Sequence, residues 1–351
     1  MAKLGLRRIN EILILIIALA SLLYLGAGFF KPIMMAFFFA TLVKPVSVFF
    51  EKRGIGRVLA SLFCTIIVFL SVSGLMVVLI IQISQFADDL PQMAENVQDA
   101  LPQFQERVED WTGISKNQQN ELLQDRSEGI LEGVQSYIQG FLQNFFTTLG
   151  HFFLTLVYLF LFLIHRTKFK KIILSYVPAE EKNNGRTVID RSSNVAHQYL
   201  WGRIQVMTIL AIMYYITFIA FGLPHALLFT LVGALLTIIP YIGPLLSGIL
   251  PIAFALMEGY DFTFILWFAA VVLIIQLIES YLLEPLILGK EVQLTPLFII
   301  IAIIIGGILW GILGMILFVP LFAILKIVFE HVEKLKPLGF LLRNEDDESV
   351  K

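Results

Sequence analysis

The chain of 351 residues is 58% apolar and 15% charged, whereas a soluble domain carries about 45–50% apolar and about 25% charged residues. The apolar excess lies in long blocks, which excludes an ordinary soluble globular domain and indicates a membrane protein. The formal net charge of −2 indicates no particular partner. We expect contact with membrane lipid and no nucleic acid.

The first half of the chain predicts four membrane spans, because about 20 apolar residues cross a lipid core roughly 30 Å thick. Ile12–Phe30 and Ile33–Phe50 fit the first two spans. Val58–Ala87 is uncharged and longer than one span, so its helix is expected to project beyond the bilayer. Gly133–Ile164 is likewise uncharged, and its second half is predicted to form the fourth span.

Basic residues in short loops indicate the orientation, because cytoplasmic loops carry an excess of lysine and arginine. Basic clusters precede the first span, join the second span to the third, follow the fourth span and end the chain. Their members are Lys3, Arg7, Arg8, Lys52, Arg53, Arg57, Arg166, Lys168, Lys170, Lys171, Lys326, Lys334, Lys336 and Arg343. All these clusters fit one side of the membrane if both termini are cytoplasmic. That arrangement requires an even number of crossings, and we predict eight.

An acidic segment, residues 84–145, then lies outside and is predicted to form an amphipathic helical hairpin. Apolar residues recur every three or four positions along Leu90–Trp111 and again along Ile130–Phe145, which is the spacing of a helical stripe. Thr112-Gly113 is expected to break the first helix. We expect the two helices to pack on each other, and a subunit interface or a substrate gate is the alternative use of these surfaces.

These features divide the chain into six predicted parts. They are 1–83 with three spans, 84–145 with the outer hairpin, 146–165 with the fourth span, 166–203 as an amphipathic cytoplasmic linker, 204–330 as a C-terminal transport core, and 331–351 as a cytoplasmic tail.

The predicted core is interrupted by proline and glycine. Ala226–Met257 is broken by Ile239-Pro240-Tyr241-Ile242-Gly243-Pro244, and the sequence leaves open whether this stretch crosses once or twice. Lipid offers no hydrogen-bond partner, so a break persists only against protein or a water-filled cavity. Freed carbonyls can bind a cation, and a half-helix N-terminus can face an anionic or polar solute. We therefore expect a substrate or ion path to be lined by Pro240, Tyr241, Gly243 and Pro244; a turn at the bilayer surface is the alternative.

A carboxylate within the next apolar stretch, Phe262–Leu283, is the second candidate. Gln276 and Glu279 are three residues apart, so they share a helical face. An ionised carboxylate inside a membrane costs several kcal/mol, so Glu279 is expected to face an interior cavity and to relay a proton or a cation. Glu284, which precedes Pro285, is assigned to the same path or to the membrane interface. The ends of spans are predicted at His225, Glu258 and Asp261.

Leu297–Leu325 is too long for one straight crossing, since its 29 residues would form a helix of about 43 Å. Tilt, a break or a re-entrant turn must absorb the excess. We expect helix breaks at Gly306, Gly307 and Pro320. They echo the glycine and proline of the preceding broken stretch, as corresponding positions in two transporter repeats do.

No enzyme signature accompanies these spans. The sequence lacks the Gly-x-x-x-x-Gly-Lys-Ser/Thr phosphate loop, a His-Glu-x-x-His motif, a cysteine pair and a serine hydrolase motif. We therefore expect no catalytic residue, no metal site and no bound cofactor, with Na⁺, Li⁺ or H⁺ as the candidate coupling ions.

Several short motifs occur in a fixed order along about the last 150 residues. They are Tyr199-Leu200-Trp201-Gly202-Arg203, Gly222-Leu223-Pro224-His225-Ala226, Ile239-Pro240-Tyr241-Ile242-Gly243-Pro244, Gln276-Leu277-Ile278-Glu279, Glu284-Pro285-Leu286-Ile287-Leu288-Gly289, Leu294-Thr295-Pro296-Leu297 and Val319-Pro320-Leu321. In this order, with the insertion after the third span, the chain resembles the autoinducer-2 exporter family of bacterial membrane proteins.

The resemblance implies about eight spans in a bacterial inner membrane, a homo-oligomer, and secondary transport that exports a small solute. Members are described as exporters of the signal autoinducer-2, and others resemble sodium or lithium/proton antiporters, which gives a rival hypothesis. A third hypothesis is a non-transporting scaffold whose outer hairpin binds a partner. It predicts that replacing Gln276 and Glu279 leaves function intact.

Overall fold

The computed structural model describes residues 6–112, 115–288 and 294–343. These residues are almost entirely helical and contain no strand, apart from one isolated backbone bridge between Leu294 and Arg343. The helices are α1 (Leu6–Leu25), α2 (Ala27–Lys52), α3 (Arg57–Thr112), α4 (Lys116–Ser175), α5 (Lys182–Ala220), α6 (Ala226–Leu236), α7 (Ile242–Met257), α8 (Phe262–Ile278), α9 (Glu284–Ile287), α10 (Pro296–Trp310), α11 (Ile312–His331) and α12 (Lys336–Leu342). The all-α prediction is therefore confirmed.

Within the described residues, 6 helical stretches are long and apolar enough to cross a membrane. They are Ala27–Lys52, Arg57–Gln92, Leu149–Ser175, Ala179–Ala220, Phe262–Ile287 and Ile312–His331. Shorter apolar helices accompany them, namely Asn10–Leu25 within α1, together with α6, α7 and α10. The prediction of a polytopic membrane protein is confirmed.

Two helices are much longer than a bilayer is thick. α3 has 56 residues and α4 has 60 residues, which corresponds to about 84 Å and about 90 Å. Both therefore continue beyond a hydrocarbon core of roughly 30 Å. The predicted break follows Thr112, the last residue of α3; Gly113 lies outside the described residues. That the two extensions pack on each other stays a prediction.

The chain forms two compact units. The first comprises Met1–Leu70, Gly150–Arg203 and Leu288–Lys351, and the second comprises Ser71–Leu149 and Ile204–Ile287. Because α3, α4 and α5 each contribute to both units, the long helices link non-contiguous parts of the sequence. The six-part division of the sequence stays a prediction, and residues 344–351 of its tail lie outside the described residues.

In the second unit, α6 and α7 form an antiparallel hairpin. Gly233 of α6 lies against Ser247 of α7, and nearer the turn Gly243 packs directly on the backbone of Leu236. α6 has 11 residues and α7 has 16, so they measure about 16 Å and about 24 Å. Neither helix alone spans the hydrocarbon core. The stretch whose crossings the sequence left open is thus a hairpin with the dimensions of a re-entrant segment.

In the first unit, α10 and α11 form a second antiparallel hairpin, which turns at Gly311 with φ of 69°. The predicted breaks at Gly306, Gly307 and Pro320 are wrong, because the two glycines lie inside α10 and Pro320 lies inside α11. The physical reason is packing: the backbone of Gly306 contacts that of Gly314, so a Cβ at either position would collide with the facing helix.

A polar cluster in the first unit connects α2, α3 and α4. The Arg166 guanidinium lies 2.6 Å from the Glu51 carboxylate and also donates to Ser47. Arg57 lies 3.7 Å from the same carboxylate and donates to the Thr167 hydroxyl. The basic residues before the third span and after the fourth therefore share one acid, as residues on one side of a membrane can.

Candidate functional site

A chain of hydrogen bonds crosses the interior of the second unit and joins α5, α7 and α8. The Tyr214 hydroxyl lies 3.2 Å from the Ser247 hydroxyl. Ser247 donates to the carbonyl of Pro244 at 2.9 Å, and the amide of Gln276 donates to the same carbonyl at 2.7 Å. We call Tyr214, Ser247, Pro244 and Gln276 the polar chain.

The local sequence explains why these groups meet. Pro244 lies in the first turn of α7, and its carbonyl has two lone pairs that accept side-chain donors. The Gln276 amide can reach this carbonyl because Gly248 has no side chain: a Cβ there would occupy the position of the amide nitrogen. The absence of a side chain at Gly248 thus allows the Gln276 side chain to pack directly against the backbone of α7.

Glu279 follows Gln276 by one helical turn and is 0% exposed. It lies close to Tyr214, which is also 0% exposed. At Glu279 the α-helix gives way to a π-helical turn, Glu279–Leu283, in which the Glu284 N–H donates to the Glu279 carbonyl. Single π turns inside helices occur frequently at functional sites. The buried carboxylate and the polar chain are therefore parts of one arrangement.

Glu284 has a different position from the other predicted path residues. It begins α9, five residues after Glu279, and is only partly buried. Its backbone N–H donates to the Glu279 carbonyl. A role for its side chain in the path stays a prediction.

The predicted helix break is a tight turn at the tip of the α6–α7 hairpin. The Ile242 N–H donates to the Pro240 carbonyl at 2.8 Å, which closes a three-residue γ-turn around Tyr241. Tyr241 has φ of 65°, a strained conformation for a residue with a side chain. Pro240 is buried whereas the Tyr241 side chain is exposed. Gly243, also buried, is required for backbone packing.

Two members of the polar chain were missed from the sequence. Tyr214 lies well inside an apolar helix, away from the span ends where tyrosine is common. Ser247 stands directly before Gly248 in an otherwise apolar helix. A polar side chain far from both ends of an apolar span is the signal that applies to both residues.

A separate titratable group lies at the open end of the α6–α7 hairpin. The His225 imidazole lies 3.0 Å from the Asp89 carboxylate, and its ring packs edge-on against Phe86. Burial raises the pKa of nearby Glu258, an effect that His225 opposes and Asp89 reinforces. Asp261 accepts the Thr263 N–H and caps α8, which agrees with its predicted place at a span end.

The site combines one buried carboxylate with hydroxyl, amide and carbonyl groups. Such groups can hold a proton or a small cation, or bind a polar solute by hydrogen bonds. Within the part of the chain that the structure describes, no group of three or more His, Cys, Asp or Glu side chains could hold a metal ion.

Comparison with known proteins places these features in context. The sequence-family model described as AI-2E family transporter matches residues 12–334 of this chain. YrrI of Bacillus subtilis is 25% identical over 314 residues, covering 88% of this chain and 87% of that protein. YhhT of Escherichia coli is 22% identical over 346 residues, covering 97% and 95%. The E. coli protein named AI-2 transport protein TqsA is 27% identical over 164 residues, covering 47% of each chain.

Proposed function

The chain belongs to the AI-2E transporter family, and from that premise we propose that it exports a small autoinducer-2-like solute by secondary transport. The family is one of membrane transport proteins, and the partial similarity to TqsA supports a signal of this chemical class. The sequence encodes no phosphate-binding loop, so the proposed driving force is an ion gradient.

The observation that carries this proposal is the complete burial of Glu279 beside the polar chain, within an apolar stretch. A carboxylate in such a place costs several kcal/mol when it is ionised, and intramembrane acids commonly mark ion paths or proton relays. The π turn that begins at Glu279 adds a second departure from regular helix at the same residue. In this mechanism Glu279 takes up and releases the coupling proton while Gln276, Ser247 and Tyr214 contact the solute.

A sodium or lithium/proton antiporter is the rival proposal, and the same carboxylate favours it. Glu279 would then bind the metal cation and the proton in turn, with the Pro244 carbonyl as a neutral oxygen ligand nearby. The two proposals differ in whether an organic solute is needed for proton movement.

We further propose a bacterial plasma membrane location with both termini in the cytoplasm. The eight crossings require that the α6–α7 hairpin returns to the side from which it enters, and that α1 and α10 cross together with the six long apolar stretches. Because α10 has only 15 residues, its crossing requires local thinning of the bilayer beside α11. The contact of Arg57 and Arg166 with one carboxylate supports a shared cytoplasmic side for these basic loops.

The test is proton flux in proteoliposomes that contain the purified full-length protein and carry a pH gradient. A furanosyl signal, Na⁺ and Li⁺ are added separately. We expect the signal to drive proton movement and Glu279→Gln to reduce it at least tenfold, because an amide cannot exchange a proton. Glu333→Gln, which alters an exposed carboxylate, is the matched control and should retain flux within twofold.

The other outcomes of the proton-flux assay distinguish the rival hypotheses. Proton movement with Na⁺ or Li⁺ alone would replace the export proposal by antiport. Unchanged flux and pH dependence in the Glu279→Gln variant would remove Glu279 from either mechanism. Absence of flux in the unaltered protein would favour the non-transporting scaffold.

A further inference from the structure

A basic cleft lies in the first unit and includes none of the residues of the polar chain. It has a volume of about 810 Å³ and is formed by α2 and the first part of α5. Its lining on α2 lies on one face of the helix and consists of Thr41, Lys44, Pro45, Val48, Phe49 and Lys52. Its lining on α5 is Arg186, Thr187, Asp190, Arg191, Ser193, Asn194 and His197.

The charges of this cleft are unbalanced. Four cationic side chains line it, Lys44, Lys52, Arg186 and Arg191, against one acid, Asp190. The Asp190 carboxylate is already paired with Lys170, which is not a lining residue. The Lys170 ammonium lies 2.6 Å from one carboxylate oxygen and 2.7 Å from the other.

Three of the four cations are also available to a ligand. Among the residues that the structure describes, no carboxylate lies within ion-pairing distance of Lys52, Arg186 or Arg191. Their side chains are exposed. Several like charges gathered around one concave space repel each other, and an anion bound among them would relieve that repulsion.

Hydrogen bonds between the two helices hold the walls of the cleft together. The Lys44 ammonium donates to the Ser193 hydroxyl at 3.2 Å. The His197 Nδ1 lies 3.2 Å from the Thr41 carbonyl, and since a carbonyl only accepts, this nitrogen carries the proton. The Thr187 hydroxyl already donates to the Asn183 carbonyl at 3.1 Å, so the neutral donor that the lining adds here is the Asn194 amide.

We propose that this cleft binds an anion that carries a phosphate group. Arginine forks bind phosphate oxygens bidentately and lysines add point charge, while the Ser193 hydroxyl and the Asn194 amide suit the remaining oxygens. Pro45, Val48 and Phe49 give one wall an apolar surface, which would accommodate the acyl chain of a phospholipid as well as a free phosphate compound. The two sources share the phosphate chemistry and are separated by experiment.

The test uses the purified full-length protein in neutral detergent. Native mass spectrometry compares retained phosphatidylglycerol with retained phosphatidylcholine, and a parallel thermal unfolding series titrates inorganic pyrophosphate. We expect at least tenfold preference for phosphatidylglycerol, or a saturable rise in unfolding temperature with pyrophosphate. The double variant Arg186→Gln/Arg191→Gln should reduce either effect at least fivefold.

Two further variants make the result decisive. Lys168→Gln/Lys171→Gln removes the same number of charges from exposed positions of α4 outside the cleft and should bind as the unaltered protein does. Asp190→Asn removes the only acid of the lining and should bind severalfold more tightly, a gain that misfolding cannot imitate.

The possible outcomes separate the sources and can overturn the proposal. Lipid preference that pyrophosphate does not reduce identifies a phospholipid headgroup with its chain, whereas a pyrophosphate effect without lipid preference identifies a soluble phosphate ligand. Equal loss in the arginine and lysine double variants would show general surface attraction, and no anion effect in the unaltered protein would show that the cleft binds no phosphate. Either result would overturn the proposal.

Discussion

The Tyr214 hydroxyl begins the polar chain, and its position is set by ring packing as well as by hydrogen bonding. The ring stacks on Phe218 with centroids 5.5 Å apart, and Phe218 in turn packs on Phe268 of α8. These contacts hold the hydroxyl at Ser247 and so connect α5 to α7 at the depth of the site. The aromatic ring therefore orients a polar group that it also shields from lipid.

Tyr214→Phe should slow transport about fivefold, because one buried hydrogen bond contributes about 1 kcal/mol. Flux in proteoliposomes is the measurement. Tyr215→Phe, in which an adjacent but exposed tyrosine loses the same atom, should leave flux unchanged. Ser247→Ala should slow transport less in the Tyr214→Phe background than in the unaltered protein, since the hydrogen bond between the two hydroxyls is already lost there. Fully additive effects would show that the two hydroxyls act independently.

Glu258 gives a pH-dependent prediction. Burial raises its pKa above the usual carboxyl range, so the ionised form is destabilised in the folded protein. Stability from this group is complete below the pKa of the unfolded chain and is lost as the pH rises through the raised folded pKa. Glu258→Gln should therefore unfold at a higher temperature than the unaltered protein at pH 7 and at the same temperature near pH 4.

The measurement is thermal unfolding of the detergent-solubilised protein from pH 4 to pH 8. Glu180→Gln, at an exposed position, provides the control and should show no pH-dependent difference. A stabilisation by Glu258→Gln that persists unchanged at pH 4 would arise from packing and would contradict the electrostatic explanation.

Sequence patterns identified part of the site and missed the rest for a physical reason. Gln276 and Glu279 stood out because amide and carboxylate groups are costly in an apolar run. Tyr214 and Ser247 stood out less, because a buried hydroxyl costs far less than a buried ionised carboxylate, and the partners that give them a role are distant in sequence. The Gly248 contact with Gln276 joins residues 28 positions apart, and no local spacing rule predicts it.

At the scale of elements, the glycines of the α10–α11 hairpin have two different structural roles. The sequence placed breaks at Gly306 and Gly307, yet the turn is at Gly311, which adopts the positive φ that the reversal requires. Gly306 instead permits close packing on Gly314. Both functions use the same amino acid, and only the pairing of facing positions distinguishes them.

Gly306→Ala should lower the stability of the protein by about 1–3 kcal/mol, because the new methyl group meets backbone atoms of α11 that cannot move aside alone. Gly314→Ala should behave in the same way. Gly74→Ala, in the helix interior of α3 where no atom lies within 4 Å of the added methyl group, should leave the unfolding temperature unchanged or slightly higher. Thermal unfolding in detergent measures all three, and equal effects at the three positions would contradict the packing explanation.

At the scale of the whole molecule, hydropathy and basic residues supplied the membrane assignment from the sequence alone. The apolar blocks were sufficient because lipid requires long helices, which is a constraint on sequence itself. The division of the chain into two units depends on contacts between distant segments, and these leave no comparable trace in composition. The homo-oligomer and the packing of the outer helices stay predictions.

The proposed orientation can be tested by cysteine labelling in intact cells. Cys64 is buried, so Cys64→Ala gives a background for single cysteines. With a membrane-impermeant maleimide, Ser136→Cys should be labelled in intact cells and Lys334→Cys only after permeabilisation. Both positions are exposed, so accessibility within the protein is matched. Labelling of Lys334→Cys in intact cells would contradict cytoplasmic termini.

The π turn between α8 and α9 has a consequence for any scan along this span. An α-helix advances about 100° per residue, but a π turn holds an extra residue and resets that count. Faces assigned from Phe262 onward hold as far as Ile278 and are out of phase beyond Leu283. In a mutational scan, the helical periodicity of sensitive positions should therefore shift by one residue at the π turn. A helical wheel that assumes α-helical geometry through Glu284 places that side chain on the wrong face.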